Sequence, residues 1–174
     1  MNIFFLSKKT SRCARWHCDK HVVKMILETA QLLYTAHWSL GEPDFSSAPM
    51  RGDGELGYRS IRNPGHPSAV WTRASLVHYI WLANLGLALC EEYRHRFSDR
   101  RHACEEHLFW LYAHPPPELE DCGWTQPPQA MPETYRRTDS VPAYRAYYRE
   151  AKARMLTYTG RTRPHWLSTG KCQD

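Results

Sequence analysis

The chain has 174 residues, 42% of them apolar, and 23 Lys and Arg against 18 Asp and Glu give it a net charge of +5. That length suits one domain with a real core, expected to span 1–174. With no charged-plus-apolar leader and no run of about 18 apolar residues, it is expected to be a soluble cytoplasmic protein that binds no membrane.

The opening MNIFFLS suits a short strand or an extended arm, and residues 7–16 suit a short helix that Thr10 or Ser11 can cap. Between Trp16 and Leu40 runs a strong helical pattern, closed by Gly41 and Pro43. At 100° per residue, His17, His21, Lys24, Glu28, Gln31 and Thr35 fall on one narrow stripe. Val22, Met25, Ile26, Ala30, Leu32, Leu33 and Ala36 cover the rest. Two imidazoles, an ammonium and a single carboxylate are the palette of a proton-transfer or anion-handling site; the plainer alternative is an ordinary wet face.

Residues 41–66, rich in Gly, Pro, Ser and Asp, are expected to form an irregular surface loop of a kind that is often functional. One helix is then predicted from Pro67 to about Phe97. Its centre is apolar nearly all round, as befits the central core helix. Arg73, Ser75, His78 and Asn84 interrupt it. A buried arginine needs a carboxylate, carbonyls or an anion, so Arg73 is a candidate to bind phosphate or to clamp Glu28. A shorter helix is predicted from Arg101 to Tyr112, and the proline-rich stretch 114–132 is expected to wrap the surface as a strap. A last helix is predicted from about Asp139 to Gly160, burying Tyr144, Tyr148, Ala151, Met155 and Tyr158, with an aromatic-basic RTRPHW tail behind it. The expected fold class is all-α, compact, with one central buried helix and long irregular connections.

Glu28 is the leading catalytic candidate, with Lys24 one turn away and His21 two turns away. The competing reading is a surface i,i+4 Lys24–Glu28 pair worth about 0.3 kcal/mol. Lys20 and Lys24 are possible amine nucleophiles. His17 and His21 have metal-ligand spacing, with Asp19 and Glu28 nearby, yet no third ligand stands at a fixed interval, so neither metal nor cofactor is expected. Cys13, Cys18, Cys90, Cys104, Cys122 and Cys172 show no paired spacing and read as reduced structural thiols.

From Arg136 to the end, nine Lys or Arg face only Asp139, Glu150 and Asp174. A basic, aromatic helix and tail over 136–174 fits phosphate-backbone contact with base stacking, through Arg145, Arg149, Lys152, Arg161, Arg163 and Trp166; the alternative is basic surface with no ligand. The absence of P-loop, dinucleotide and nucleophile-elbow motifs argues against nucleotide-driven motors, Rossmann oxidoreductases and α/β-hydrolases.

Asp19-Lys20-His21 followed by Glu28 nine residues after the acid, Gly57-Tyr58 through His66-Pro67, and Arg163-Pro164-His165-Trp166 form a scattered set of short motifs over most of the chain. In them the sequence resembles the pyrimidine-dimer DNA glycosylase (T-even phage endonuclease V-like) family and related small viral and phage proteins. The resemblance implies a compact all-α enzyme of a host-cell interior whose partner is duplex DNA. In that family the N-terminal α-amine attacks deoxyribose C1′, the base leaves, a Schiff base forms, and the glutamate supports the sugar chemistry and strand cleavage. An α-amine suits this because its ordinary pKa near 8 leaves a neutral fraction at pH 7.

Two positions depart from the pattern. Asn2 stands where the family exposes a small residue after methionine removal, so the nucleophile is expected to be the amine of Met1, or Lys24, or to be lacking. Leu27 and Gln31 replace the arginines beside the family's glutamate, which shifts the expected substrate from pyrimidine dimers towards other damaged or modified bases. Gln31 and His66 complete the substrate-side candidates. The expected activity is that of a DNA glycosylase or glycosylase/AP lyase. The alternatives are an enzyme acting on modified phage-type DNA or a nucleotide, and a non-catalytic nucleic-acid-binding protein.

Overall fold

The structure is a computed structural model that describes residues 2–41, 43–58 and 64–168. Met1, loop positions 42 and 59–63, and 169–174 with Cys172 lie outside the described residues. The fold is all-α. Six helices follow one another: α1 Thr10–Trp16, α2 Asp19–Leu40, α3 Pro67–Thr72, α4 Leu76–Arg96, α5 Glu105–Ala113 and α6 Ser140–Ala151. Among the described residues the nearest thing to a strand is one isolated Met50–Leu56 bridge in the irregular loop, and no helix is long and apolar enough to cross a membrane.

α4 is the axis of the molecule and packs against α1, α2, α3 and α5. Gly86 makes the closest of these approaches possible. A Cβ there would lie 2.8 Å from Thr29 Cγ2 on α2 and 2.9 Å from Leu108 on α5. The arm before α1 is irregular, with Leu6 N donating to Phe4 O at 3.0 Å, and Ile3, Phe4, Phe5 and Leu6 are all buried.

The helices predicted from 7 and 101 begin at Thr10 and Glu105, and two longer patterns are cut short by caps from distant segments. The Pro67–Phe97 pattern breaks at Arg73–Ser75 because the strap caps the second half. Leu76 N donates to Glu120 O (2.8 Å), while the Ser75 hydroxyl donates to Asp121 (3.0 Å) and accepts from Cys122 N (2.9 Å). α6 stops at Ala151, not Gly160, because the following residues cap α2 instead. Thr157 O accepts from Asp19 N (2.9 Å), and the Thr159 N–H and hydroxyl both donate to the Asp19 carboxylate.

A buried ion-pair hub ties these ends together. Arg96, fully buried, donates to Glu92 (3.0 Å), to Asp19 (3.1 Å) and to the carbonyls of Arg15 and His17 that end α1. Arg161 from the tail grips Glu92 on its other side at 2.8 and 3.0 Å. Burial pushes both acids upward, but the Thr159 and Arg96 hydrogen bonds hold Asp19, and Arg161 with Arg96 holds Glu92, below the ordinary carboxylate range.

Candidate functional site

Most of the polar stripe on α2 is covered, with Lys24 exposed and Gln31 half-buried. Glu28 is 9% exposed, His21 5% and Thr35 4%. The cover over Glu28 is the N-terminal arm. Asn2 N donates to Glu28 Oε2 at 3.1 Å, and Lys24 Nζ pairs with Glu28 Oε1 at 3.3 Å from an otherwise exposed side chain.

Asn2 is itself held from three sides. Its Nδ2 donates to Ala130 O of the strap (2.9 Å), and its Oδ1 accepts from Ile3 N (2.9 Å) and lies 2.6 Å from the Tyr144 hydroxyl of α6. Tyr144 also reaches Pro128 O (2.6 Å) and accepts from Ala130 N (3.3 Å). The strap and α6 therefore converge on Asn2, whose backbone N–H in turn reaches the Glu28 carboxylate. Asn2, noticed in the sequence only for its bulk, is the residue that joins them.

His21 lies about 10 Å along α2 from Glu28, seven residues at 1.5 Å each, and is turned under the arm. Its ring stacks on Phe4 (centroids 4.2 Å apart), and its Nδ1 lies 2.6 Å from the Tyr148 hydroxyl, which also accepts from Cys18 N. Burial lowers its pKa to about 3, and that of His17 to about 4. His17 belongs to the end of α1, where its Nδ1 donates to Cys13 O (2.8 Å). Both imidazoles are neutral wedges that seat the arm and α6, so His21 acts on Glu28's surroundings through packing rather than contact.

His66 is the histidine near Glu28. As N-cap of α3, its Nδ1 accepts from Ser68 N (3.2 Å), which leaves Nε2 as its N–H. Burial lowers its pKa, and the field of Glu28 acts against that shift.

Arg73 is not the buried clamp expected from the sequence. It ends α3 half-exposed and donates to Pro64 O at 2.7 Å, a position set by the helix break beside it. Gln31 lies half-buried one turn beyond Glu28. Met1 lies outside the described residues, and its amine is one residue from Asn2 N.

The C-terminal candidates divide into clamps and free cations. Arg145 donates to Leu6 O (3.0 Å) with its guanidinium 4.8 Å from the Trp16 ring and 5.6 Å from Trp166. Arg149 donates to Trp166 O, and Lys152 lies over Tyr147. Trp166 packs edge-on to Trp16 and Tyr148, so it anchors the tail. Arg163 is exposed. Among the described residues from 136 onward, only Arg161 has a carboxylate partner.

No family model, curated protein or solved structure matches this chain.

Proposed function

We propose that the protein is a DNA-acting base-excision enzyme of glycosylase or glycosylase/AP-lyase type, working on a damaged or modified base. The observation that carries this is the 3.1 Å approach of Asn2 N to Glu28. It puts the backbone of Asn2, the first described residue, against a nearly buried carboxylate, and the α-amine belongs to the residue joined to it. The largely unneutralised basic surface from Arg136 onward supports a polyanionic partner.

In the proposed reaction the neutral α-amine attacks deoxyribose C1′, the C1′–N bond breaks, and the base leaves with that electron pair and a proton. Opening of the sugar ring, with protonation of O4′, yields an iminium. Glu28 stabilises the cationic sugar and then takes the C2′ proton, so that the C3′–O bond breaks and the 3′ phosphate leaves. Water releases the enzyme. Lys24, paired with Glu28, is the alternative amine.

Borohydride trapping on duplex DNA with an abasic site tests this. A covalent adduct is expected, with the sugar on the N-terminal residue by peptide mapping. Glu28→Gln is expected to slow trapping by about 10²-fold or more. Failure of the wild-type protein to trap, together with unchanged DNA binding by Glu28→Gln, would overturn the reading in favour of a non-catalytic binder.

A further inference from the structure

Beside the Asn2–Glu28 pair, the strap and the entry to α6 line an open cavity of about 570 Å³ that neither the α2 stripe nor the basic-tail candidates explain. It is lined by residues 126–130, 136–138 and 140, with Pro67 at the start of α3 on one side. That volume is in the range of sites that hold small organic ligands.

The walls are fixed before any ligand arrives. Gln129 pairs with the backbone of Arg137 in both directions, accepting from its N–H (2.8 Å) and donating to its carbonyl (2.6 Å). Ser140 N donates to Gln126 Oε1 (2.7 Å), and the Ser140 hydroxyl donates to Pro127 O (2.8 Å). Four hydrogen bonds from side chains to main chain thus hold two irregular segments at a set separation, which is costly to maintain without a use for the gap.

The chemistry of the lining is one-sided. Pro67, Pro127 and Pro128 contribute flat apolar surfaces. Arg136 spends only its Nε, on Met131 O (3.2 Å), so both of its terminal nitrogens are without a protein acceptor among the described residues. Arg137 donates from Nη1 to two neutral carbonyls and keeps its charge. Neither arginine has a carboxylate partner among the described residues; Asp139, the nearest acid in sequence, caps α6 through Val141 N. Two unneutralised guanidinium groups beside proline faces suit a ligand with an anionic end and a flat end.

The cavity also touches the site described above. Ala130, one of its walls, accepts the Asn2 side chain, and Pro67 follows His66. We propose that it binds a deoxynucleoside phosphate unit, with Arg136 and Arg137 on the phosphate and the prolines against the base or sugar. That unit is either a free nucleotide or the nucleotide of a DNA strand flanking the one at Glu28. The second source rests on the base-excision reading, and the first does not.

Calorimetric titration of the full chain with dTMP, thymidine and inorganic phosphate tests the cavity directly. dTMP is expected to bind at least tenfold tighter than thymidine, with inorganic phosphate competing. Arg136→Ala/Arg137→Ala, both exposed and so compatible with folding, is expected to weaken dTMP about tenfold or more. Thr138→Trp, which narrows the opening, should weaken it similarly. Equal affinity for thymidine and dTMP, no binding at all, or binding untouched by the double variant would each overturn the proposal.

The source is read from trapping on abasic duplex. If the strand supplies the nucleotide, the double variant raises the half-saturating DNA concentration about tenfold at an unchanged plateau rate, and dTMP inhibits. If a free nucleotide is the ligand, dTMP binding is lost while trapping is unchanged. A wild-type protein that never traps sinks the base-excision reading and leaves the dTMP titration to decide the cavity alone.

Discussion

Tyr144 and Tyr148 stand one turn apart on α6, are both fully buried, and use their hydroxyls on different parts of the arm's seat. Tyr144 serves Asn2, Pro128 and Ala130; Tyr148 serves His21 and Cys18. Replacing either by Phe keeps the ring and removes one oxygen. The stranded polar groups should cost about 1–3 kcal/mol in each variant, and in a chain of this length each kcal/mol lowers the melting temperature by roughly 2–4 °C. Similar losses of stability are therefore expected from the pair. Their effects on chemistry should differ. Tyr144→Phe frees the residue that hydrogen-bonds Glu28, and since a misplacement of about 1 Å can cost up to 10²-fold in rate, trapping should slow by about ten- to a hundredfold. Tyr148→Phe loosens a point about 10 Å along α2 from Glu28 and should leave trapping within about twofold. Circular dichroism melts and single-turnover trapping at a temperature where both variants stay folded provide the two readouts. Equal slowing by both variants, or normal trapping by Tyr144→Phe, would refute the assignment of Asn2 as the residue that sets the site.

Arg96→Met should cost about 3–5 kcal/mol in urea unfolding, because it leaves Asp19 buried without its cation and Glu92 with Arg161 alone; a loss under about 1 kcal/mol would show the hub to be incidental. Stability should fall on acidification from below pH 6.5. The unfolded chain protonates its histidines there, whereas His17 and His37 titrate only near 4 and His21 near 3 in the fold, so the unfolded state binds more protons. A urea midpoint flat from pH 7 to 5 would contradict this; the depressed carboxyls of Asp19 and Glu92 act with the same sign only below their ordinary values of 3.8 and 4.5, where a midpoint that stops falling would contradict their part. For DNA binding, Arg163→Ala should reduce the salt slope by about one unit. Arg145→Ala should leave that slope alone and lower the melting temperature, because its guanidinium lies between Trp16 and Trp166; the reverse pattern would exchange their roles.

The long α2 helix was legible because one continuous apolar face imposes its period over 22 residues and Gly41 stops it. The ends of α3, α4 and α6 were not, because they are decided by hydrogen bonds across the chain. Glu120–Cys122 meets Ser75 and Leu76 some 45 residues away, and Thr159 meets Asp19 at a separation of 140. A hydrophobic pattern carries no trace of such partners, and a helix-compatible stretch yields wherever a distant segment satisfies its backbone better. The site shows the same division. Glu28 stood out as a lone carboxylate on a selective stripe, whereas its cover is an arm that the sequence marks only as apolar. Arg145 and Arg149 looked like a phosphate-facing pair because charge and spacing are visible in sequence and the surrounding tryptophans are not.

That apolar arm, more than any polar contact, fixes where Asn2 lies. Ile3, Phe4, Phe5 and Leu6 are all buried, and each such side chain contributes roughly 1.5–3 kcal/mol when fully withdrawn from water. The Asn2–Glu28 hydrogen bond adds about 1 kcal/mol. Adjacent rings on the arm also enter different neighbourhoods. Phe4 stacks on His21 of α2, while Phe5 meets Trp81 of α4 and Trp124 of the strap. A slip of one residue would unseat both rings and carry Asn2 away from Glu28, so the register of the arm is set by ring packing. The polar residues at the site can then be chosen for chemistry, because apolar side chains two and three residues further on already hold the chain in place.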